Sequence, residues 1–214
     1  METEADMEEN RMNEFSDMEL DVLKEISNIG TGNAATSISQ MLDSRVDIEV
    51  PVIKIMGFDE MSEVVGGAEK EVIGILVTLD GDIDGMMMFM TDRYSAAIVI
   101  NRIMGREFSE LVGELSEMEV SVLTEFGNII AGSYLSAISK LMGLVIVPSV
   151  PALSDDMAGA ILSVPAIEFG KVSDRVLLIQ SVFDTDNKRA EGFFILIPTR
   201  KAYDTILKKL GLVR

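Results

Sequence analysis

Hydrophobic residues recur every three or four positions in two stretches of the chain, residues 16–42 and 116–142. That spacing is typical of an amphipathic helix. Both stretches open with Ser-x-x-Glu, at Ser16–Glu19 and at Ser116–Glu119. In a capping box of this kind the serine and glutamate side chains bind each other's backbone N–H groups, which fixes where the helix begins. The pattern therefore predicts two long helices of known phase.

Two other stretches, residues 71–90 and 175–198, consist of two apolar runs separated by turn residues. This is the pattern of a β-hairpin. Between each long helix and its hairpin lies an extended segment rich in valine, isoleucine and proline, at residues 45–56 and 144–153. A helical stretch follows each hairpin. Each half of the chain is therefore predicted to form a helix, a strand, a hairpin and a second helix.

The two halves of the chain are copies of one another. Residues 16–42 align without a gap with residues 116–142, each residue matching the one numbered 100 higher. We therefore predict an α+β fold that is internally duplicated and pseudo-twofold, in which the two hairpins form one antiparallel β-sheet with helices layered on it. The identical pairs include Ser16/Ser116, Glu19/Glu119, Val22/Val122, Leu23/Leu123, Glu25/Glu125, Asn28/Asn128, Gly32/Gly132 and Ile38/Ile138.

The duplication also predicts the domain limits. Residues 16–214 are expected to form a single domain made of two repeats, 16–111 and 116–211, preceded by an acidic flexible tail at residues 1–15. The tail lacks the basic and apolar regions of a signal peptide. Apolar runs such as residues 86–90 are too short to cross a bilayer. We therefore expect a cytoplasmic protein that does not insert into membranes.

Composition narrows the chemistry, because the chain has no cysteine and no histidine. This excludes disulfides, thiolate nucleophiles, zinc sites with cysteine or histidine ligands, and every mechanism with a histidine base. Catalysis would have to use carboxylates, amides, hydroxyls, lysines or the backbone. The formal net charge of -18 argues against a nucleic-acid binder, which needs a surplus of lysine and arginine. It favours a partner with a basic surface.

The phase of the first long helix separates its polar residues from its apolar ones. At about 100° per residue, Glu25, Asn28 and Gly32 fall on one exposed face, together with Asp21. The same stripe recurs in the second helix, where it consists of Ser121, Glu125, Asn128 and Gly132. The apolar positions of the first helix that are expected to face the core are Val22, Leu23, Ile26 and Ile29.

The glycine in each stripe is informative. A glycine inside a helix costs about 1 kcal/mol relative to alanine, and asparagine is also a weak helix former. Folding alone does not require Gly32 one turn beyond Asn28, and again Gly132 beyond Asn128. A glycine at that place lets another surface approach the helix closely. We therefore predict that the repeated stripe is functional rather than a solvated face, with four site residues: Glu25, Asn28, Glu125 and Asn128.

At these residues the sequence resembles the CheC/CheX/FliY family of response-regulator phosphatases. The family signature is an acidic residue, two spacers and an asparagine on a helix, followed by a glycine, and residues 23–37 and 123–137 both match it. The resemblance extends over residues 16–211. Two motif copies point to the CheC type rather than to CheX, which has one. The segment after residue 211 is too short for the switch domain that FliY adds.

The second motif copy departs from the first at two places. Ser133 replaces Asn33, and Ile-Ile-Ala at residues 129–131 replaces Ile-Gly-Thr at residues 29–31. The two sites therefore need not be equally active.

The resemblance implies a substrate and a mechanism. The substrate is the phospho-aspartate of a CheY-like receiver domain, which brings its own Mg²⁺ and an invariant lysine. Asn28 or Asn128 is implied to orient the attacking water, and Glu25 or Glu125 to pair with the receiver's lysine. No cofactor or metal of the chain's own is implied. The deamidase CheD is a further partner implied by the family.

Two alternatives to a phosphatase stay open at this point. A non-catalytic binding module for CheD, a receiver or the flagellar switch would have no need to keep both asparagines. A metal-binding protein is suggested by Asp80, Asp82 and Asp84, which mimic the opening of a calcium-binding loop. Thr91 stands where the loop's closing glutamate belongs, so we interpret the segment as an acidic hairpin turn.

Overall fold

A computed structural model describes residues 17–42, 45–169, 175–185 and 188–209, so the predicted tail at residues 1–15 lies outside the described residues. Within that part the helices are α1 (Asp17–Leu42), α2 (Phe58–Val64), α3 (Arg93–Ile103), α4 (Glu117–Met142), α5 (Ala158–Phe169) and α6 (Arg200–Lys209). The strands are β1 (Asp47–Gly57), β2 (Glu71–Gly81), β3 (Gly85–Asp92), β4 (Ile146–Pro148), β5 (Ala152–Met157), β6 (Arg175–Thr185) and β7 (Lys188–Pro198).

The strands form one antiparallel sheet in the order β1–β6–β7–β3–β2–β4, and β5 pairs with β2 beside β4. The hairpins β2–β3 and β6–β7 meet at its centre, where β3 pairs with β7 from Gly85 opposite Pro198 to Thr91 opposite Gly192. This confirms the predicted α+β fold, in which both hairpins join one antiparallel sheet. The limits of the two repeats stay a prediction.

The outer strands are exchanged between the two halves of the chain. Strand β1 pairs with β6 from the other half, and strands β4 and β5 pair with β2. Each half therefore completes the sheet of the other half instead of closing a sheet of its own. The long helices α1 and α4, which directly precede the exchanged strands, are held against a surface that both halves build.

The sheet is buried on both faces, as its central strand β3 shows. Met87 and Phe89 point toward the face that carries α1, α3, α4 and α6, and they join the core formed there with Phe126 and Tyr134. The alternate side chains of β3 point toward the opposite face, which α2 and α5 cover. Because successive side chains of a strand point to opposite faces, a strand buried on both sides has to be apolar throughout. The residues of β3 on this second face are Met86, Met88 and Met90.

The short helices α2 and α5 differ from the prediction, which gave no helix between each extended segment and its hairpin. Helix α5 contains Pro165, which cannot donate a backbone hydrogen bond. The extended segment before it is also divided into two strands, β4 and β5. Packing against the sheet stabilises these elements, since Ile161 and Leu162 are both buried in the core of the second face.

The N-terminus of α4 has the predicted capping box. The Ser116 hydroxyl accepts from the Glu119 N–H, and the Glu119 carboxylate accepts from the Ser116 N–H at 2.9 Å. Arg106 also donates to this carboxylate, at 3.1 Å. These contacts, the Ser116 backbone hydrogen bond first among them, lower the pKa of Glu119. The box thereby fixes the phase of α4; the equivalent Ser16 lies outside the described residues.

We expect Ser116→Ala to lower the free energy of unfolding by about 1 kcal/mol, because the Glu119 N–H loses its acceptor. Urea unfolding of the variant beside wild type measures this.

The ionised Glu119 carboxylate adds a contribution to stability that depends on pH. Since folding lowers the pKa of Glu119, its contribution is complete above the ordinary glutamate pKa of about 4.3 and is lost as the pH falls through the lowered value. By urea unfolding, wild type should have a higher free energy of unfolding than Glu119→Gln at neutral pH, and this difference should shrink in acid. An equal difference at neutral and acidic pH would contradict this account.

Candidate functional site

The two helices that carry the Glu-x-x-Asn motif, α1 and α4, are called the motif helices. They contact each other on one face of the sheet and turn their polar stripes to solvent. Glu25, Asn28 and Gly32 are all exposed on α1. The structure thus places the first set of predicted residues together on one accessible helix surface. The equivalent residues of α4 are exposed as well, and these are Glu125, Asn128 and Gly132.

One predicted core residue of α1 is not in the core, because Ile29 is 37% exposed. The prediction was wrong for a geometric reason. At about 100° per residue Ile29 lies only about 40° from Glu25, at the border of the polar stripe. The side chains of Val22, Leu23 and Ile26 lie outside the described set. The inward face of α1 is formed instead by residues such as Ala34 and Ile38, both of which are 1% exposed.

The stripe glycines leave open space above the helix. Among the described residues, no atom beyond the local helix backbone lies within 4 Å of the position that a Cβ would take at Gly32 or at Gly132. Two other glycines of the same helices behave differently: a Cβ at Gly30 would lie 2.6 Å from the Tyr134 ring, and one at Gly127 would lie 2.7 Å from Ile75. The buried glycines are therefore explained by packing within the chain. The stripe glycines are not, which favours an approach from outside.

The two copies differ beneath the stripes. The Tyr134 hydroxyl of α4 lies 2.7 Å from the Thr31 hydroxyl of α1 and 3.4 Å from the Ser181 hydroxyl of β6. Burial raises the pKa of Tyr134, so the phenol stays protonated at neutral pH. The sequence prediction did not identify this cluster. The available signal was that Gly30-Thr31 becomes Ile130-Ala131 in the second copy.

A groove of about 600 Å³ continues the first stripe toward the end of α1. Its lining includes Ala35 and Ser39 from the helix, and Arg45 and Asp47 from the segment that leads into β1. The Arg45 guanidinium pairs with the Asp47 carboxylate at 3.0 Å. In the second copy Leu135 replaces Ala35 and is 3% exposed, so a larger side chain occupies the equivalent place. The surroundings of the two stripes are therefore not identical.

The aspartates of the acidic hairpin turn accept hydrogen bonds from backbone N–H groups of the chain. Asp80 accepts from the N–H of Gly81 at 2.7 Å, and Asp82 accepts from the N–H of Val145 at 2.8 Å. Among the described residues, no group of three or more acidic side chains is placed to hold a metal ion. A search of the same residues finds no helix that is long and apolar enough to span a membrane.

The chemistry of the stripe follows from its side chains and its shape. An amide can accept one hydrogen bond and donate another without titrating, and a carboxylate can pair with a cation. Asn28 and Glu25 are both exposed on the outer surface of α1. The arrangement therefore suits a reactive group that another protein presents on its own surface.

The fold is shared with solved structures of other proteins. The structure is similar to that of Thermotoga maritima FliY, with a TM-score of 0.73 at 22% identity, over 91% of this chain and 98% of that chain. It is also similar to a chain in the CheX–CheY–BeF3–Mg complex of Borrelia burgdorferi, with a TM-score of 0.50 at 20% identity, over 78% of this chain and 95% of that chain. At these identities the likeness shows the fold alone.

The sequence comparisons are more specific. The model of the CheC-like family matches residues 18–55 and 118–154, which contain both stripes. The chain is 33% identical over 203 residues to the CheY-P phosphatase CheC of Bacillus subtilis, covering 93% of this chain and 97% of that protein. The chain belongs to the CheC-like family.

Proposed function

We propose that this chain is a CheY-P phosphatase, a hydrolase that removes the aspartyl phosphate of a CheY-like receiver in chemotaxis signalling. The proposal assigns one site to Glu25 and Asn28 and a second to Glu125 and Asn128. The observation that carries it is the exposed Glu-x-x-Asn stripe with open space at the following glycine, present twice. The Bacillus subtilis relative named CheY-P phosphatase supports the same reaction.

In the proposed mechanism the receiver docks on one motif helix and brings its own Mg²⁺, so the chain supplies no cofactor. What the receiver and its Mg²⁺ lack is a water molecule held in line with the phosphorus–oxygen bond that breaks, and the chain has to position this water. The Asn28 amide accepts from this water and donates to a phosphoryl oxygen. The water oxygen bonds to phosphorus while the bond from phosphorus to the aspartate oxygen breaks, which leaves inorganic phosphate and a free carboxylate. Asn128 acts in the same way at the second site.

The glutamate has a docking role in this mechanism. Glu25 or Glu125 pairs with the receiver's lysine, which fixes how deep the neighbouring asparagine reaches. Gly32 and Gly132 let the receiver backbone come close to the helix, because no side chain fills the space above them. Asparagine is short, so it reaches the phosphoryl group only after this close approach.

The partners and location proposed with this activity are those of a cytoplasmic signalling protein. The formal net charge of -18 gives long-range attraction to a receiver with a basic rim and disfavours nucleic acid. CheD stays a predicted partner. A scaffold without catalysis is the alternative, and it differs from the phosphatase in one measurable way, since a scaffold binds receivers but releases no phosphate.

We expect the double variant Asn28→Ala/Asn128→Ala to lose at least about 100-fold in phosphatase activity, because the attacking water is no longer positioned. Both side chains are exposed, and alanine favours helix, so stability should not fall. Each single variant should keep the other site's activity. Phosphate release from a phosphorylated receiver measures this, with Ser163→Ala as an exposed control on α5, which covers the opposite face of the sheet. Wild-type turnover by the double variant would exclude the mechanism.

The variants Glu25→Gln and Glu125→Gln should weaken docking more than turnover. An exposed ion pair is worth about 0.2–1 kcal/mol, so KM should rise roughly 1.4- to fivefold in a variant with both changes. The difference from wild type should shrink in high salt, where charges are screened. Steady-state kinetics at low and high ionic strength checks this. If kcat fell while KM stayed constant, the glutamates would have another role.

The variant Gly32→Leu/Gly132→Leu should be inactive on a phosphorylated receiver yet at least as heat-stable as wild type. A leucine there would block the close approach, while replacing glycine within an exposed helix stabilises it by roughly 0.5–1 kcal/mol per site. Gly32→Ala/Gly132→Ala should have the same stability gain and a smaller loss of activity. Thermal unfolding beside the phosphate-release assay separates the two effects. Full activity of the leucine variant would mean that no surface approaches these glycines.

A further inference from the structure

Three differences between the two sequence copies meet at one place in the structure. Gly30 and Thr31 of α1 correspond to Ile130 and Ala131 of α4, and Tyr134 of α4 corresponds to Ala34 of α1. The tyrosine from the second half contacts the glycine and the threonine of the first half. The large side chain of Tyr134 on α4 therefore fits against the small Gly30 on α1. The reverse contact is not formed, since position 34 of α1 is alanine and position 130 of α4 is isoleucine.

The contact is fully buried. Tyr134 is 1% exposed, and its ring lies against the bare backbone of Gly30, where a Cβ would be 2.6 Å from the Cδ1 atom. The ring also packs on Phe194 of β7, with centroids 4.6 Å apart. Its hydroxyl lies 2.7 Å from Thr31 and 3.4 Å from Ser181, which are 7% and 0% exposed. The side chain thus joins α1, α4 and the sheet.

We propose that Tyr134 is a positioning residue for the first site: its hydroxyl holds α1 through Thr31 and so sets the position of Asn28. This inference rests on the proposed function. The second site lacks this anchor, since Ala131 and Ala34 stand at the positions equivalent to Thr31 and Tyr134 and carry no hydroxyl. The two sites therefore differ in how firmly their asparagine is held, although their exposed stripes match.

The distances make the effect large enough to measure. Thr31 is three residues after Asn28, which is about 4.5 Å along the helix axis. The hydrogen bond of 2.7 Å between the Thr31 and Tyr134 hydroxyls, together with the Tyr134 ring packed on Gly30, restricts sliding and rotation of α1. An error of about 1 Å in a positioning group can cost about 100-fold in rate. If the bond is lost, the Thr31 hydroxyl can turn back to a carbonyl of its own helix, which bends the helix near Asn28.

The test uses two backgrounds, each with one active site. Asn128→Ala reports the first site and Asn28→Ala reports the second. Adding Tyr134→Phe keeps the ring and removes the hydroxyl. We expect kcat in the first background to fall about tenfold at unchanged KM, which is part of the cost of a 1 Å displacement. The second background should keep its kcat. An equal change in both backgrounds, or no change in kcat in either, would overturn the proposal.

Further variants separate positioning from stability. Thr31→Val should reproduce the selective loss of kcat at the first site. Combining it with Tyr134→Phe should lower kcat no further, because both changes remove the hydrogen bond between the Thr31 and Tyr134 hydroxyls. Thr31→Ser keeps the hydroxyl and should retain activity. Thr91→Val is the matched control, since it removes a buried hydroxyl that donates to the Glu191 carbonyl at 2.6 Å, away from the motif helices. The control should lower stability and leave the kcat of both sites equal to that of the parent backgrounds.

A second readout keeps this inference separate from the proposed function. If neither Asn→Ala change lowers activity, the proposed function fails, and Tyr134 is then tested by amide hydrogen exchange. Tyr134→Phe should speed exchange at residues 28–31, because Thr31 loses its partner, and should change residues 128–131 less, because the retained ring still packs α4 on Phe194. Unchanged exchange at residues 28–31 would overturn the anchor itself.

Discussion

The pairing of β3 with β7 is the interaction on which the rest of the structure depends. It joins the two hairpins into one sheet, and the exchanged outer strands then extend that sheet on both sides. The motif helices α1 and α4 come to lie together on one face because α4 packs on strands from both halves and α1 packs on β1 and on α4. Burial of one side of each helix leaves the other side to solvent. Two accessible stripes on one surface are thus a consequence of how the sheet is assembled.

The fold explains where the stripes lie but not which residues they contain. Any polar side chains could occupy an exposed helix face, and most would give a more stable helix than asparagine and glycine. Gly32 and Gly132 have no packing reason within the described chain, in contrast to Gly30 and Gly127. Contacts within the described chain therefore do not offset the helix stability that is lost by having glycine at these two positions. That separation between packing glycines and open glycines supports the function proposed for the stripe.

Much of the fold could be predicted because its elements have strong local signals. The capping box at Ser116, the hairpin pattern and the matched repeats all depend on neighbours in sequence, and the structure has them. Helix α5 was missed because Pro165 opposes a helix locally while burial against the sheet favours one. Ile29 was misplaced because it lies at the border of the stripe. Tyr134 was missed because its partners Thr31 and Ser181 are distant in sequence, and the only signal is the change of Gly30-Thr31 to Ile130-Ala131 between the copies.

The comparison of the two copies adds a physical argument about what the duplication preserves. Exposed residues are constrained weakly by folding, yet Glu25, Asn28 and Gly32 recur unchanged. Buried residues are constrained strongly, yet the contact between Gly30 and Tyr134 exists in one copy only. The core can exchange one fitted contact for another, because packing requires only that total volume be filled. The proposed docking surface has no such freedom at Glu25, Asn28 and Gly32, which would explain why these positions recur in both copies while the contact between Gly30 and Tyr134 does not.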